Sequence, residues 1–175
     1  GTTDGLNLAL NVGAMLLVFI GLMTGANYIL GDFLGHHLGI NDWVNTLTEG
    51  QYTKLSFEFI VGYICAPFVW LIGVPAQDMV YVGELLGQKT ILNEFVAYTR
   101  LGELKSQGLI SERSIILSTY ILCGFANFAS IGIQVGGIGT LVPSKKRQLA
   151  KYGLLALLGG TVACLFTATI VGMFI

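Results

Sequence analysis

Charged residues are scarce in this chain of 175 residues, where Asp, Glu, Lys and Arg together make up 11% of the sequence. A typical soluble domain carries about 25% charged residues, so the chain lacks the polar surface that such a domain presents to water. Hydrophobic residues make up 54% of the chain, and the mean hydropathy is +0.74. Because the apolar residues fall in long uninterrupted runs, the sequence predicts an all-α integral membrane protein whose solvent is the lipid bilayer.

Other absences narrow the function. The formal net charge of −1 offers no basic surface for nucleic acid. The adjacent His36 and His37 would point in different directions from a helix, so a wet loop is favoured over a metal site. The three cysteines show no CxxC spacing and are interpreted as packing residues, and no HExxH, GxSxG or Walker A motif is present. We therefore expect no enzymatic activity, no metal and no cofactor.

The first half of the chain predicts one span and one shorter apolar helix. Residues 6–30 carry no charge and exceed the roughly 20 residues that cross a bilayer core, so residues 1–54 are predicted to form a scaffold transmembrane helix followed by an outer loop. Residues 55–74 are rich in aromatic side chains, which are enriched near lipid headgroups, and Pro67 should kink them. An interfacial helix is predicted there, with a tilted span as the alternative.

Residues 75–105 alternate charged and apolar positions at short intervals, which no single lipid-facing helix tolerates. A break near residues 90–93 leaves two arms of about 16 and 12 residues, or about 24 and 18 Å at 1.5 Å per residue. Neither arm crosses a core of about 30 Å, so a re-entrant helical hairpin is predicted.

The last third predicts a broken helix and a final span. Residues 114–142 contain no charge, but glycines and amides interrupt their middle, which indicates a transmembrane helix that breaks at depth. Pro143 ends it, and the densest basic cluster of the chain follows, which places that turn in the cytoplasm. Residues 149–175 supply the final helix. Residues 55–175, from the interfacial helix to the final helix, are predicted to form a second unit beside the scaffold unit of residues 1–54.

Polar side chains at bilayer depth mark the candidate site, because they are costly there unless they handle a solute or an ion. Glu94 and Asn93 lie at the predicted hairpin tip, and Asn127, Ser130 and Gln134 at the predicted helix break. A carboxylate accepts hydrogen bonds, whereas an amide and a hydroxyl both donate and accept, so the set suits a neutral ligand rich in hydroxyl groups.

Structural roles for the same residues stay open. Asn127 and Ser130 could satisfy broken helix ends or bridge two helices. Glu94 could form a buried ion pair with Lys89 or with Arg100.

Two segments, NEFVAY at residues 93–98 and TYILCGFANFASIGIQVGGIGTLVPSKKR at residues 119–147, closely resemble the concentrative nucleoside transporter family. The similarity extends to residues 4–16, 57–78 and 159–172, and so covers nearly the whole chain. The resemblance implies the C-terminal portion of a secondary transporter that moves nucleosides by symport with Na⁺ or H⁺. It also implies a homotrimer in the plasma membrane, and the short turn at residues 104–113 is more similar to bacterial members, which reside in the inner membrane.

The resemblance also implies roles for single residues. Glu94, Asn127 and Ser130 would hold the ribose hydroxyls, and Phe125 would line the same pocket. The nucleobase contacts and the site of the coupling ion would lie in an N-terminal portion outside this chain. The alternative is a channel or structural membrane subunit in which the intramembrane polar residues only join helices.

Overall fold

The computed structural model describes residues 1–48, 50 and 52–175, and every regular element within them is helical. The prediction of an all-α chain is thus confirmed for these residues. The eight α-helices are α1 (Thr2–Asn27), α2 (Ile40–Leu47), α3 (Phe57–Leu71), α4 (Met79–Ile91), α5 (Glu94–Ser106), α6 (Glu112–Leu122), α7 (Phe128–Leu141) and α8 (Lys146–Gly172), with a π-helical segment at Tyr28–Gly35 and a 3₁₀ turn at Pro143–Lys145.

Among the described residues, one helix is long and apolar enough to cross a bilayer, and it runs through Pro143–Gly172. It contains residues 149–172 of the predicted final helix (149–175), and it begins a few residues earlier because Pro143 opens it rather than only ending its predecessor. The predicted first span, residues 6–30, lies in α1 except for its last three residues, which begin the π-helical segment. The side chains of several α1 residues fall outside the described part of the structure. The spanning, interfacial and re-entrant assignments remain predictions.

The core forms where α3, α4, α5 and α6 meet. Leu85 of α4, Leu104 of α5, and Leu117 and Ile121 of α6 are completely buried there. The later helices α6 and α7 pack against α8. Pro67 lies inside α3 without dividing it. This arrangement brings the junction of α4 and α5 next to the junction of α6 and α7.

Glycines allow α3 and α4 to approach unusually closely. A β-carbon placed on Gly83 would lie 2.4 Å from the carbonyl oxygen of Gly62 and 2.9 Å from the backbone nitrogen of Ala66. Backbone atoms cannot move aside as a flexible side chain can, so this contact requires glycine.

We therefore expect Gly83→Ala to destabilise the purified full-length protein by about 1–3 kcal/mol, the usual cost of overpacking. Gly102 in α5 is a matched control, since a β-carbon there meets nothing within 4 Å. Gly102→Ala should stabilise the helix by about 0.5–1 kcal/mol. Thermal unfolding in detergent measures both changes, and an equal response of the two variants would contradict the packing argument.

A buried carboxylate joins the two arms of the α4–α5 hairpin. Glu84, which is 2% exposed, accepts hydrogen bonds from Arg100 Nε at 2.9 Å, Tyr52 Oη at 2.6 Å and Gln88 Nε2 at 3.2 Å. Burial and the Glu84 carboxylate raise the pKa of Tyr52, so its phenol stays protonated and donates. The predicted outer loop is thereby fixed to the hairpin.

A second polar cluster fixes the base of the hairpin to the start of α6. Asp78 Oδ2 accepts hydrogen bonds from the Ser111 backbone nitrogen at 3.0 Å and from Ser114 Oγ at 2.6 Å. Arg113 donates to the carbonyl oxygens of Gly73 at 3.1 Å and Gly172 at 2.9 Å, near the ends of α3 and α8. With both ends of the hairpin held, its tip has a defined position.

Candidate binding site at the hairpin tip and the helix break

The hairpin tip places Glu94 at the start of a helix. Asn93 is in an extended conformation, and its Oδ1 accepts a hydrogen bond from the Val96 backbone nitrogen at 3.0 Å, which caps α5. Glu94 then occupies the first turn, where the positive end of the helix dipole favours a carboxylate. The structure thus gives Asn93 a capping role, and its contact with a substrate remains a prediction.

The helix break repeats this local design. Residues 123–127 separate α6 from α7, and Asn127 is in an extended conformation as the cap of α7. Its Oδ1 accepts hydrogen bonds from the Ser130 backbone nitrogen at 2.7 Å and from Ser130 Oγ at 2.8 Å. The helix-end role left open by the sequence is therefore present. Because Oδ1 is held by Ser130, the direction of the Asn127 NH₂ group (Nδ2) is fixed as well.

That amide group connects the two junctions. Asn127 Nδ2 donates a hydrogen bond to Glu94 Oε2 over 3.0 Å, although the residues are 33 positions apart in the chain. The other carboxylate oxygen, Oε1, accepts no hydrogen bond from the described residues, and the Glu94 side chain is partly exposed. A carboxylate with one occupied and one open oxygen can accept a hydrogen bond from a ligand hydroxyl group.

A cavity of about 250 Å³ lies beside the break, between α7 and α8. Phe125, Asn127, Ser130 and Gln134 are among its lining residues, whereas Glu94 and Asn93 are not. Phe125 is 73% exposed, so its ring is available to contact a ligand or another part of the protein. The residues predicted from the sequence are therefore grouped around Asn127. Phe125, Ser130 and Gln134 line the cavity with it, whereas Glu94 contacts Asn127 from outside the cavity lining.

Neither of the two ion pairs considered for Glu94 is present among the described residues. Arg100 is engaged by Glu84 and by Glu103, whose Oε2 lies 3.1 Å from Arg100 Nη1, so the pairing with Glu94 was wrong. Lys89 is completely buried, and its Nζ makes no hydrogen bond with any described residue. In the sequence, only the position of Lys89 in the last turn of an apolar arm indicated this burial.

The cysteines and histidines take no part in the site's hydrogen bonds. Cys164 is buried, Cys65 is half-buried and Cys123 is exposed, so packing explains the first better than the last. His37 Nδ1 lies 2.7 Å from the Phe33 carbonyl oxygen on the exposed surface. Among the described residues, no group of three or more His, Cys, Asp or Glu side chains could hold a metal ion.

The family model and the relatives that this chain matches all belong to one family of membrane transporters. Residues 1–172 match the family model described as Na⁺-dependent nucleoside transporter C-terminus. The uncharacterized transporter YutK of Bacillus subtilis (strain 168) is 42% identical over 175 residues, which are all of this chain and 40% of that protein. The nucleoside permease NupC of Helicobacter pylori (strain ATCC 700392 / 26695) is 38% identical over 178 residues, covering 100% of this chain and 40% of that protein.

The fold agrees with these relatives. The structure of CNTnw in an inward-facing substrate-bound state matches with a TM-score of 0.80 and 32% identity, over 98% of this chain and 39% of that chain. The chain thus spans about 40% of the length of the bacterial relatives it matches. Both bacterial relatives are named as transport proteins.

Proposed function

Because the chain belongs to the Na⁺-dependent nucleoside transporter family, where it corresponds to the C-terminal part, we propose that its parent protein moves nucleosides across the membrane by cation-coupled symport. Within that protein, this chain supplies the ribose-binding half of the substrate site. The 3.0 Å hydrogen bond from Asn127 Nδ2 to Glu94 Oε2 carries the proposal, because it places a carboxylate with an open oxygen between two capped half-helices.

Ribose is the part of a nucleoside that this chemistry fits. Its hydroxyl groups donate to a carboxylate oxygen, and a charge-assisted hydrogen bond is about twice as strong as a neutral one. Asn127 and Ser130 add an amide and a hydroxyl next to Glu94, while the exposed Phe125 ring offers an apolar surface. The nucleobase contacts and the coupling-ion site, for Na⁺ or H⁺, then belong to the N-terminal portion of the protein.

The proposed membrane arrangement follows from the helix lengths. The α4 and α5 helices contain 13 residues each, or about 20 Å at 1.5 Å per residue, which is shorter than a bilayer core of about 30 Å. Residues 75–105 therefore form a re-entrant hairpin and residues 114–142 a broken transmembrane helix, with residues 1–54 as scaffold. The assembled protein is a homotrimer in the plasma membrane, which is the inner membrane if the source is bacterial.

Competition for uridine binding tests the function directly. In the purified full-length protein, unlabelled nucleosides should displace labelled uridine, whereas ribose and uracil at the same concentration should not, because neither contacts both halves of the site. Saturable binding with this order of competition supports the proposal. Absence of saturable binding would instead favour the channel or structural subunit, in which the Asn127–Glu94 hydrogen bond only joins two helices.

A further inference from the structure

The turn between α7 and α8 carries a cluster of positive charges that nucleoside recognition does not explain. Lys145, Lys146 and Arg147 are consecutive, Lys151 follows within the first two turns of α8, and all four side chains are exposed. The sequence contains no Asp or Glu after residue 112. No acidic residue of this part of the chain can therefore balance the cluster.

The contacts of the four basic side chains supply no negative charge either. Lys145 Nζ donates a hydrogen bond to the neutral Gln148 Oε1 over 3.1 Å, Lys151 Nζ lies 5.5 Å from the centre of the Tyr152 ring, and the stem of Lys146 packs against α7. None of the four forms an ion pair with a described residue. The first turn of α8 also lacks an acidic residue, although the start of a helix carries partial positive charge. This end of α8 therefore presents an unbalanced positive charge.

One exposed face of α8 changes from basic to apolar along its length. Arg147 and Lys151 are four residues apart, which places them on the same side of the helix. Leu154, Leu155 and Leu158 continue that side and are 58%, 63% and 59% exposed. At 1.5 Å per residue, Leu158 lies about 16 Å beyond Arg147, which is about half of a bilayer core of about 30 Å. The change thus occurs over the depth of one lipid leaflet.

The position of this face in the membrane indicates what binds to it. The face belongs to the segment Pro143–Gly172, which among the described residues is the helix long and apolar enough to cross a bilayer. The positive-inside rule predicts that its basic end lies in the cytoplasm, and the cytoplasmic leaflet is the one that carries anionic lipids. A soluble anion would neutralise only the basic end. A phospholipid matches the basic and the apolar end together.

We propose that the α8 face formed by Arg147, Lys151, Leu154, Leu155 and Leu158 binds an anionic phospholipid of the cytoplasmic leaflet. The Arg147 guanidinium and the Lys151 ammonium contact the headgroup phosphate, for which the planar fork of arginine donors is well shaped, and the leucines lie along an acyl chain. The other two lysines of the turn add to the positive field. This interaction depends on how α8 lies in the membrane, and it holds whichever solute the protein transports.

Lipid binding to the purified full-length protein, followed by native mass spectrometry in detergent, tests the proposal. Phosphatidylglycerol should bind more tightly than phosphatidylcholine, because the choline group cancels the phosphate charge. Arg147→Gln with Lys151→Gln should weaken phosphatidylglycerol binding by about 25-fold, since each basic side chain near an anionic surface changes the affinity by about fivefold. The matched control, Lys54→Gln with Lys105→Gln, removes two exposed positive charges outside α8 and should leave the affinity nearly unchanged.

Two further measurements test the proposal if the double variant yields too little folded protein. In the unaltered protein, added salt should reduce the preference for phosphatidylglycerol, because exposed charges are screened. Arg147→Lys, which keeps the charge, should retain most of the binding. Equal affinity for the two lipids would overturn the proposal, since a cluster that served only to orient the chain during membrane insertion would give that result. Equal weakening in the control variant, or displacement of phosphatidylglycerol by inorganic phosphate at the same concentration, would overturn it as well.

Discussion

Replacing Glu94 with glutamine in the full-length protein is expected to lower uridine uptake by about 10- to 150-fold. Hydrogen bonds to a charged group contribute about 1.5–3 kcal/mol each, and a factor of ten corresponds to about 1.4 kcal/mol. Glutamine keeps the size of the side chain and can still accept from Asn127 Nδ2, but it loses the negative charge that a ribose hydroxyl group would contact.

The measurement is initial uptake of labelled uridine into cells or proteoliposomes, divided by the amount of transporter in the membrane. Glu103→Gln is the matched control, because Glu103 lies on the same helix with a 54% exposed side chain. Its uptake should stay within a factor of two. The melting temperature of each variant, measured alongside uptake, separates the loss of binding from the loss of folded protein. Uptake by Glu94→Gln equal to that of the control would refute the assignment.

Asn127→Ala is expected to abolish concentrative uridine uptake and also to destabilise the helix break. Loss of a helix cap costs about 0.5–2 kcal/mol, and Asn127 additionally supplies the donor to Glu94. Without both interactions, the start of α7 loses its defined position relative to the hairpin tip. The substrate contact and the geometry of the site then disappear together.

Two companion variants separate these contributions. Asn127→Asp retains an oxygen that can cap α7, but it replaces the donor to Glu94 with a second carboxylate, so uptake should remain lost. Ser56→Ala removes a cap of the same kind, since Ser56 Oγ accepts from the Phe59 backbone nitrogen at 3.1 Å at the start of α3, away from the site. It should lower the melting temperature yet leave the uridine KM unchanged. Substantial uptake by Asn127→Asp would show that the donor to Glu94 is dispensable.

The sequence predicted the local architecture well because local physics governs it. Charges at short intervals in residues 75–105 and polar residues inside residues 114–142 indicated breaks, and helices end at Ile91 and Leu122 in these regions. The same reasoning selected Glu94, Asn127 and Ser130, since polar groups are costly in lipid. The boundary at Lys146 was less accurate, because Pro143 is tolerated in the first turn of the segment that leads into α8.

Long-range pairing had to come from the tertiary structure. Glu94 had two possible cationic partners in the sequence, and only the packing of α4 against α5 shows that Arg100 belongs to Glu84, 16 residues away. Similarly, the contact between Glu94 and Asn127 joins residues 33 positions apart, and no periodicity of either helix specifies it. Such contacts depend on how helices cross, which side-chain chemistry alone leaves open.

By itself, the sequence determined that this protein is a helical membrane protein with polar side chains at two interruptions of its apolar segments, because composition and the positions of polar residues are properties of the chain. The tertiary structure decided that Asn127 caps α7 with its oxygen and reaches Glu94 with its amide, so that one residue both builds the helix end and orients the carboxylate. It also decided that Lys89 is buried with its ammonium group close to Gly124 in the helix break, because burial depends on how the helices pack against one another.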